Sequence, residues 1–301
     1  YADFSILKKA NIKVAIDSMC ATGGNIFEEL LRGTQIGRVS IRTERNPLFD
    51  YDLPEPAPPL LAPLAKLVRS EKCDVGLATD GDADRIGVVD ASGRFVSLHY
   101  IMPLLYEYLA ETRGWKGDAV RTTSTDNLFD EVCESFGARC HEVPVGFKNV
   151  CEVVLKEDIL VGGEESGGVC FKNHIPERDG LLSGLLILEM IAARKMPLAK
   201  MVQAMGRRFH KVEYIRMDRV FEQAKLKDNL NTLLEKTPLK IGGSKVARVD
   251  TRDGIKFYLQ NGCWMLMRVS DTEPKGRIYA GGPDIQDVRR TLKAGELLLF
   301  R

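Results

Sequence analysis

Three aspartates at alternate positions, Asp80, Asp82 and Asp84, are the residues of this sequence whose types and spacing most clearly indicate chemistry. Carboxylates held this close repel one another unless a cation lies among them. A set of oxygen ligands suits a hard cation such as Mg²⁺. Arg85 follows directly and adds a planar cation that can contact a phosphate through two hydrogen bonds. The segment 79–85 therefore predicts a magnesium site that acts on phosphate.

The acidic segment also has competing interpretations. A turn rich in Asp and Gly is often only a solvated connection between strands. An EF-hand loop is excluded, because it requires Gly where Arg85 stands and Glu where Ala91 stands. Phosphatases of the haloacid-dehalogenase type also place two aspartates after an apolar strand, and they usually have Thr or Val at the position of Asp84. A metal-dependent phosphatase therefore stays open as an alternative.

A glycine-rich segment, 162–168, carries two glutamates and a serine among four glycines. Glycines let the backbone approach a ligand closely. A carboxylate accepts hydrogen bonds, and a hydroxyl both donates and accepts them, so Glu164 and Ser166 suit the vicinal hydroxyls of a sugar. The segment is not a Walker loop, because no Gly-Lys-Ser/Thr follows the first glycines at the required spacing. It therefore predicts a sugar-binding loop.

A third group of polar residues lies near the C-terminus. Arg268, Ser270 and Thr272 alternate in an extended segment, and one guanidinium with two hydroxyls on the same side can hold a phosphate dianion. A Ser/Thr-rich turn explains the same residues equally well when they are taken alone. Lys148 lies in a predicted loop over 145–149, where it is an ordinary solvated lysine unless the other loops bring a phosphate or sugar close to it.

The elements that must position these residues alternate between strand and helix in the first two thirds of the chain. Apolar strands and amphipathic helices predict two tandem α/β domains with mixed sheets, over 1–97 and 98–209. The aspartates fall at a turn between two apolar strands. In 210–301, short strands and an Asn-Gly turn predict a smaller α+β domain with an antiparallel sheet.

Composition limits the classes of function. The chain has 301 residues, of which 44% are apolar and 28% charged, a mixture typical of globular proteins. A net charge of +1 gives no support for a nucleic-acid partner. The longest apolar stretch, 181–193, is interrupted by polar residues and is too short to span a membrane. Seven scattered cysteines without a Cys-x-x-Cys pair indicate free thiols and a cytoplasmic protein.

These motifs, in this order, resemble those of the phosphohexomutase family, which includes phosphoglucomutase and phosphomannomutase. The likeness spans essentially the whole chain and is carried by the metal loop (79–85), the sugar loop (163–167), the phosphate loop (268–275) and two lesser matches (146–148 and 174–180). It implies three related α/β domains followed by a smaller C-terminal domain. The chain matches the second, third and fourth of these. Because it starts at Tyr1, we expect the N-terminal phosphoserine domain to be missing.

The resemblance also implies roles and a reaction. The family interconverts hexose 1-phosphate and hexose 6-phosphate, of glucose or mannose, through a phosphoserine and a hexose 1,6-bisphosphate. The resemblance implies that Asp80, Asp82 and Asp84 bind Mg²⁺ and that Arg85 and Lys148 are catalytic. It implies that Glu164 and Ser166 bind the sugar. The non-reacting phosphate would be bound by Arg268, Ser270 and Thr272. Without the serine domain, the chain is expected to bind these sugar phosphates and not to turn them over alone.

Two departures from the family pattern bear on this interpretation. Asp271 stands where the family usually has Gly, and its carboxylate could repel a phosphate. No Ser-His-Asn-Pro serine loop is present, and the segment 45–47 resembles it only superficially. A non-catalytic sugar-phosphate-binding protein and a metal-dependent sugar phosphatase are therefore kept as alternative functions.

Overall fold

The computed structural model describes residues 1–269 and 274–300 of the chain. The backbone folds into two compact units, Tyr1–Arg208 and Phe209–Arg301. The first unit contains two sheets, and its division into domains at residues 97 and 98 stays a prediction. None of the helices described is both long and apolar enough to cross a membrane.

The first sheet and its helices are formed by the residues up to Val96. They are α1 (Phe4–Leu7), β1 (Lys13–Asp17), α2 (Ile26–Leu30), β2 (Gly37–Ile41), α3 (Ala62–Ser70), β3 (Val75–Thr79), β4 (Ile86–Asp90) and β5 (Phe95–Val96), with a 3₁₀ turn at Phe49–Tyr51. The strand order is β2-β1-β3-β4-β5. β1 runs parallel to β2 and β3, whereas β3 and β4 are antiparallel because only a short loop joins them. That loop carries the three aspartates.

The second sheet repeats this arrangement. Its elements are α4 (Leu98–Arg113), β6 (Asp118–Thr122), α5 (Leu128–Ser135), β7 (Cys140–Val143), α6 (Phe147–Val154), β8 (Ile159–Gly163), β9 (Val169–Phe171), α7 (Gly180–Arg194) and α8 (Leu198–Arg208). The order is β7-β6-β8-β9, with β6 parallel to both neighbours and β8 antiparallel to β9. The glycine-rich loop therefore joins β8 to β9 in the position where the acidic loop joins β3 to β4.

The second unit is built on one antiparallel sheet. Its elements are β10 (Glu213–Val220), α9 (Gln223–Glu235), β11 (Lys240–Ile241), β12 (Ser244–Asp250), β13 (Ile255–Leu259), β14 (Trp264–Val269), β15 (Lys275–Gly282) and α10 (Ile285–Leu299). The strand order is β10-β15-β14-β13-β12-β11. Phe257, Met265 and Ile278 are fully buried in a core to which α9 and α10 contribute Leu226 and Val288. The predicted fold class, two tandem mixed α/β sheets followed by an antiparallel α+β unit, is confirmed.

A buried ion pair fixes the carboxyl end of β1 beside the acidic loop. Arg42 donates from Nε to Oδ1 of Asp17 at 2.9 Å and from Nη2 to Oδ2 at 2.5 Å, and the Asp17 side chain is fully buried. Five residues after Asp17, the backbone N–H and the hydroxyl of Thr22 both donate to the carbonyl of Gly81, at 3.3 and 3.0 Å. The end of β1 therefore supports the backbone of the acidic loop.

We predict that Arg42→Met destabilises the first unit by about 3–5 kcal/mol, because it leaves the carboxylate of Asp17 buried without its partner. Lys13→Met is the matched control, since Lys13 pairs with Glu71 on the surface of the same unit, and its loss should cost about 1 kcal/mol or less. Urea unfolding followed by circular dichroism measures both. Equal losses for the two variants would contradict the prediction.

Candidate metal and sugar site

The three aspartates converge in the hairpin loop between β3 and β4. One carboxylate oxygen from each of Asp80, Asp82 and Asp84 lies within 4.8 Å of the others. Asp80 is buried, Asp84 is half-buried and Asp82 is exposed, so the cluster opens to solvent at Asp82. The loop turns back at Ala83, whose φ of 62° lies in the left-handed region. The three aspartates, which alternate in the sequence, thus bring their carboxylates close together.

An unpartnered oxygen marks the inner side of this cluster. Oδ1 of Asp84 is buried and has no hydrogen-bond partner among the described residues. Burial and then the charge of Asp80 raise the pKa of Asp84 to about 6, while the nearby Arg178 opposes the rise. A buried polar atom of this kind needs a proton or a cation. The donors are oxygens only, so the residues present fit a hard cation such as Mg²⁺.

Arg85 lies against the same cluster. Its backbone N–H donates to Oδ1 of Asp80 at 3.0 Å, and its Nε donates to Oδ2 at 2.5 Å. Nη1 of the guanidinium lies 4.0 Å from Glu55, which stands between Pro54 and Pro56. Asp80 therefore orients Arg85 through Nε, while Nη1 lies at ion-pair distance from Glu55.

The sugar loop predicted from the sequence lies between β8 and β9. Glu164 is only 6% exposed, and its Oε1 accepts a hydrogen bond from the backbone N–H of Gly146 at 3.0 Å. Burial and then the charge of Glu165 raise the pKa of Glu164 to about 7. Ser166 is half-buried on the same loop. The residue between them, Glu165, directs its carboxylate to the hydroxyls of Ser124 and Thr122.

The two loops are joined directly through their backbones. Arg85 and Gly168 form an antiparallel bridge, and the N–H of Ile86 donates to the carbonyl of Gly167 at 3.0 Å. A Cβ on Gly167 would lie 2.7 Å from the carbonyl oxygen of Ile86, and Gly167 has a φ of +114°, so glycine is required there. The predicted cation site and the predicted sugar site are thus parts of one surface.

Arg178, which belongs to the lesser family match over 174–180, also lies on this surface. Its Nη2 lies 2.7 Å from Oδ2 of Asp84, and its guanidinium lies over the Phe147 ring at 5.2 Å from the centroid. A Cβ on Gly168 would lie 2.3 Å from Cδ of Arg178, so the side chain passes directly over the sugar loop. Its position before α7 in sequence gave no indication of these contacts, which depend on how the two sheets are packed.

Lys148 lies in a helix and not in the predicted loop. It is the second residue of α6, whose N-cap is Gly146 with a φ of 123°, and its side chain is exposed. It makes no ion pair with any residue that the structure describes. The structure therefore leaves Lys148 available for a ligand, without a contact that fixes its direction.

The phosphate site predicted in the last unit is described only in part. Arg268 lies near the end of β14, and its Nε donates to Oδ1 of Asp253 at 2.6 Å. The pKa of the Arg268 guanidinium is raised above its usual value. Burial lowers this pKa, but the negative charge of Asp253 raises it. Ser270 and Thr272 lie outside the described residues. No pattern in the sequence indicates that Asp253 holds the predicted phosphate-binding guanidinium.

Known proteins resemble this chain over nearly its whole length. A phosphoglucomutase/phosphomannomutase of Thermococcus kodakarensis is 30% identical over 299 residues, which are 99% of this chain and 62% of the relative. The phosphoglucosamine/phosphogalactosamine mutase of Sulfurisphaera tokodaii is 29% identical over 94% of this chain and 61% of the relative. This chain spans about three fifths of the length of these relatives.

Structural and family comparisons agree. A crystal structure from Thermus thermophilus, described as a phosphomannomutase, superimposes with a TM-score of 0.85 at 33% identity, covering 99% of this chain and 63% of the other. The family model for phosphoglucomutase/phosphomannomutase, alpha/beta/alpha domain II, matches residues 1–93, and that for domain III matches residues 98–209. The chain therefore belongs to the phosphoglucomutase/phosphomannomutase family of phosphohexomutases.

Proposed function

We propose that this chain carries the metal-binding and sugar-binding loops of a phosphohexomutase that interconverts hexose 1-phosphate and hexose 6-phosphate of glucose or mannose. Its relatives are mutases, which makes a phosphosugar mutase the supported class of enzyme. The observation that supports the proposal most is the backbone bridge between Arg85 and Gly168, which joins an acidic cluster to a loop of sugar-binding residue types. A phosphosugar offers a dianion and vicinal hydroxyls in one molecule, and these two loops suit one each.

In the proposed site, Asp80, Asp82 and Asp84 would hold Mg²⁺. When bound there, the ion would neutralise the charge of a phosphoryl group and so favour its transfer. Arg85, already oriented by Asp80, would donate from its Nη groups to a phosphoryl oxygen. Lys148 adds a second cation from the first turn of α6. Most of the catalysis would therefore come from positioning and charge neutralisation.

Substrate binding is assigned to two places. Glu164 and Ser166 accept and donate hydrogen bonds at the sugar hydroxyls, with Glu164 held by the N–H of Gly146. In the second unit, Arg268, with Ser270 and Thr272, is proposed to anchor the phosphate that does not react. Because Asp253 occupies Nε of Arg268, a phosphate there would use its Nη groups.

The phosphoryl group is proposed to come from a serine outside this sequence. The family reaction passes through a phosphoserine and a hexose 1,6-bisphosphate, and the 301 residues contain no Ser-His-Asn-Pro segment. We therefore propose that the partner of this chain in catalysis is a serine-bearing domain. The chain itself binds hexose phosphate and hexose 1,6-bisphosphate.

Isothermal titration with magnesium chloride tests the metal site. We predict that the unaltered chain binds Mg²⁺ and that Asp82→Asn weakens binding by roughly tenfold or more, because one charge is lost at ligand distance. Asp228→Asn, an exposed carboxylate on α9, is the matched control and should leave the affinity unchanged. The absence of heat with both magnesium and manganese would refute the site, as would equal affinities for the two variants.

Phosphorus NMR of glucose 1-phosphate or mannose 1-phosphate, incubated with the purified chain and Mg²⁺, tests the assignment of the donor serine. We predict that the sugar phosphate binds and that no 6-phosphate accumulates, because the chain lacks the phosphoryl carrier. Steady formation of 6-phosphate would show that a carrier lies within the 301 residues. Release of inorganic phosphate without isomerisation would instead identify a sugar phosphatase.

A further inference from the structure

The second glutamate of the sugar loop, Glu165, forms side-chain hydrogen bonds with residues outside that loop. Its Oε2 accepts from the Ser124 hydroxyl at 2.5 Å and from the Thr122 hydroxyl at 3.5 Å. Ser124 and Thr122 are both completely buried. Thr122 Oγ1 also lies 3.0 Å from Ser124 Oγ and 3.3 Å from the hydroxyl oxygen of Thr125. Hydroxyl groups at and just after the end of β6 therefore fix the carboxylate of Glu165 in place.

These hydroxyl groups orient Glu165 without neutralising it. Hydroxyl groups donate hydrogen bonds to a carboxylate, but they bring no positive charge. The Arg and Lys side chains of the described residues form no ion pair with Glu165. Its negative charge lies next in sequence to the buried Glu164, and charges interact more strongly with a buried group than with one in water.

Glu164 is the residue on which that charge acts. It is 6% exposed and accepts a hydrogen bond from the N–H of Gly146, the N-cap of α6. The charges that act on it are those of Glu165 on its own loop, Arg178 before α7 and Arg85 directly before β4. Both arginines are engaged elsewhere. Arg178 is paired with an aspartate of the metal loop at 2.7 Å, and Arg85 with another at 2.5 Å.

We propose that Glu165 is a positioning residue whose anchored negative charge sets the protonation state in which Glu164 meets a sugar. The inference rests on the proposed function, in which Glu164 binds sugar hydroxyls. It assigns Glu165 no contact with the ligand. Its action passes through Glu164 alone.

The protonation of Glu164 matters because its two forms bind a sugar differently. A carboxylate accepts hydrogen bonds from two vicinal hydroxyls, and such charge-assisted bonds are roughly twice as strong as neutral ones. The protonated form loses part of this accepting capacity. Burial first and Glu165 second raise the pKa of Glu164 to about 7, against the Gly146 N–H and the two arginines. Because the pKa is raised, the proton persists up to neutral pH, and sugar binding strengthens as the pH rises through that range.

Glu165→Gln removes the negative charge and keeps the shape of the side chain, and its amide oxygen can still accept the hydrogen bond from the Ser124 hydroxyl. We expect the titration midpoint of the Glu164 carboxyl carbon, followed by ¹³C NMR in the ligand-free chain, to fall by roughly 0.5–1 pH unit. Glu164→Gln identifies the signal. Calorimetry with glucose 6-phosphate should then show about three- to fivefold tighter binding at pH 6 for Glu165→Gln, and equal binding at pH 8.5.

The controls separate this inference from the proposed function. Glu152→Gln removes an exposed charge from α6 and should leave the midpoint unchanged. Glu165→Met removes the charge with a side chain of similar length, and it serves if the glutamine variant does not fold. An unchanged midpoint in the folded variant overturns the proposal. A lowered midpoint without glucose 6-phosphate binding at any pH overturns the sugar role and upholds the charge effect.

Discussion

Electrostatic repulsion among three aspartates confined within 4.8 Å is the constraint around which the first unit is organised. Two of them are already compensated by arginines from different parts of the chain: Asp80 by Arg85, which follows it closely, and Asp84 by Arg178, which precedes α7. Asp82 and the buried Oδ1 of Asp84 lack a hydrogen-bond partner among the described residues. A divalent cation would complete the charge balance, and the same balance would let a dianionic sugar ester approach.

The fold provides this site by using one arrangement twice. In each sheet of the first unit a central strand has two parallel neighbours, one of which continues into an antiparallel hairpin. The metal loop is one of these hairpin turns and the sugar loop is the other, and they meet at the bridge between Arg85 and Gly168. Gly180 lets the start of α7 approach the metal loop closely, since a Cβ there would lie 2.6 Å from the carbonyl oxygen of Arg85. The two loops thus occupy equivalent positions in the two sheets.

Sequence patterns predicted those features that depend on local chemistry. The acidic turn between apolar strands, the hairpin over residues 255–268 and the fold class all follow from alternation and turn residues. The sequence does not predict β10, in which the charged Arg216 and Asp218 alternate with Ile215 and Met217 and pair with each other. The course of Glu165 toward Ser124 could not be predicted, because the two residues are distant in sequence and meet only through the packing of β6 beside β8.

The most direct measurement of the central claim is an anomalous difference map from crystals of the chain soaked in manganese chloride. Mn²⁺ takes the same oxygen ligands as Mg²⁺ and, unlike it, scatters anomalously enough to be located. The account predicts one strong peak among the carboxylates of Asp80, Asp82 and Asp84, with Arg85 and Arg178 beside it. A map with no peak there, while the three side chains are well ordered, would contradict the account.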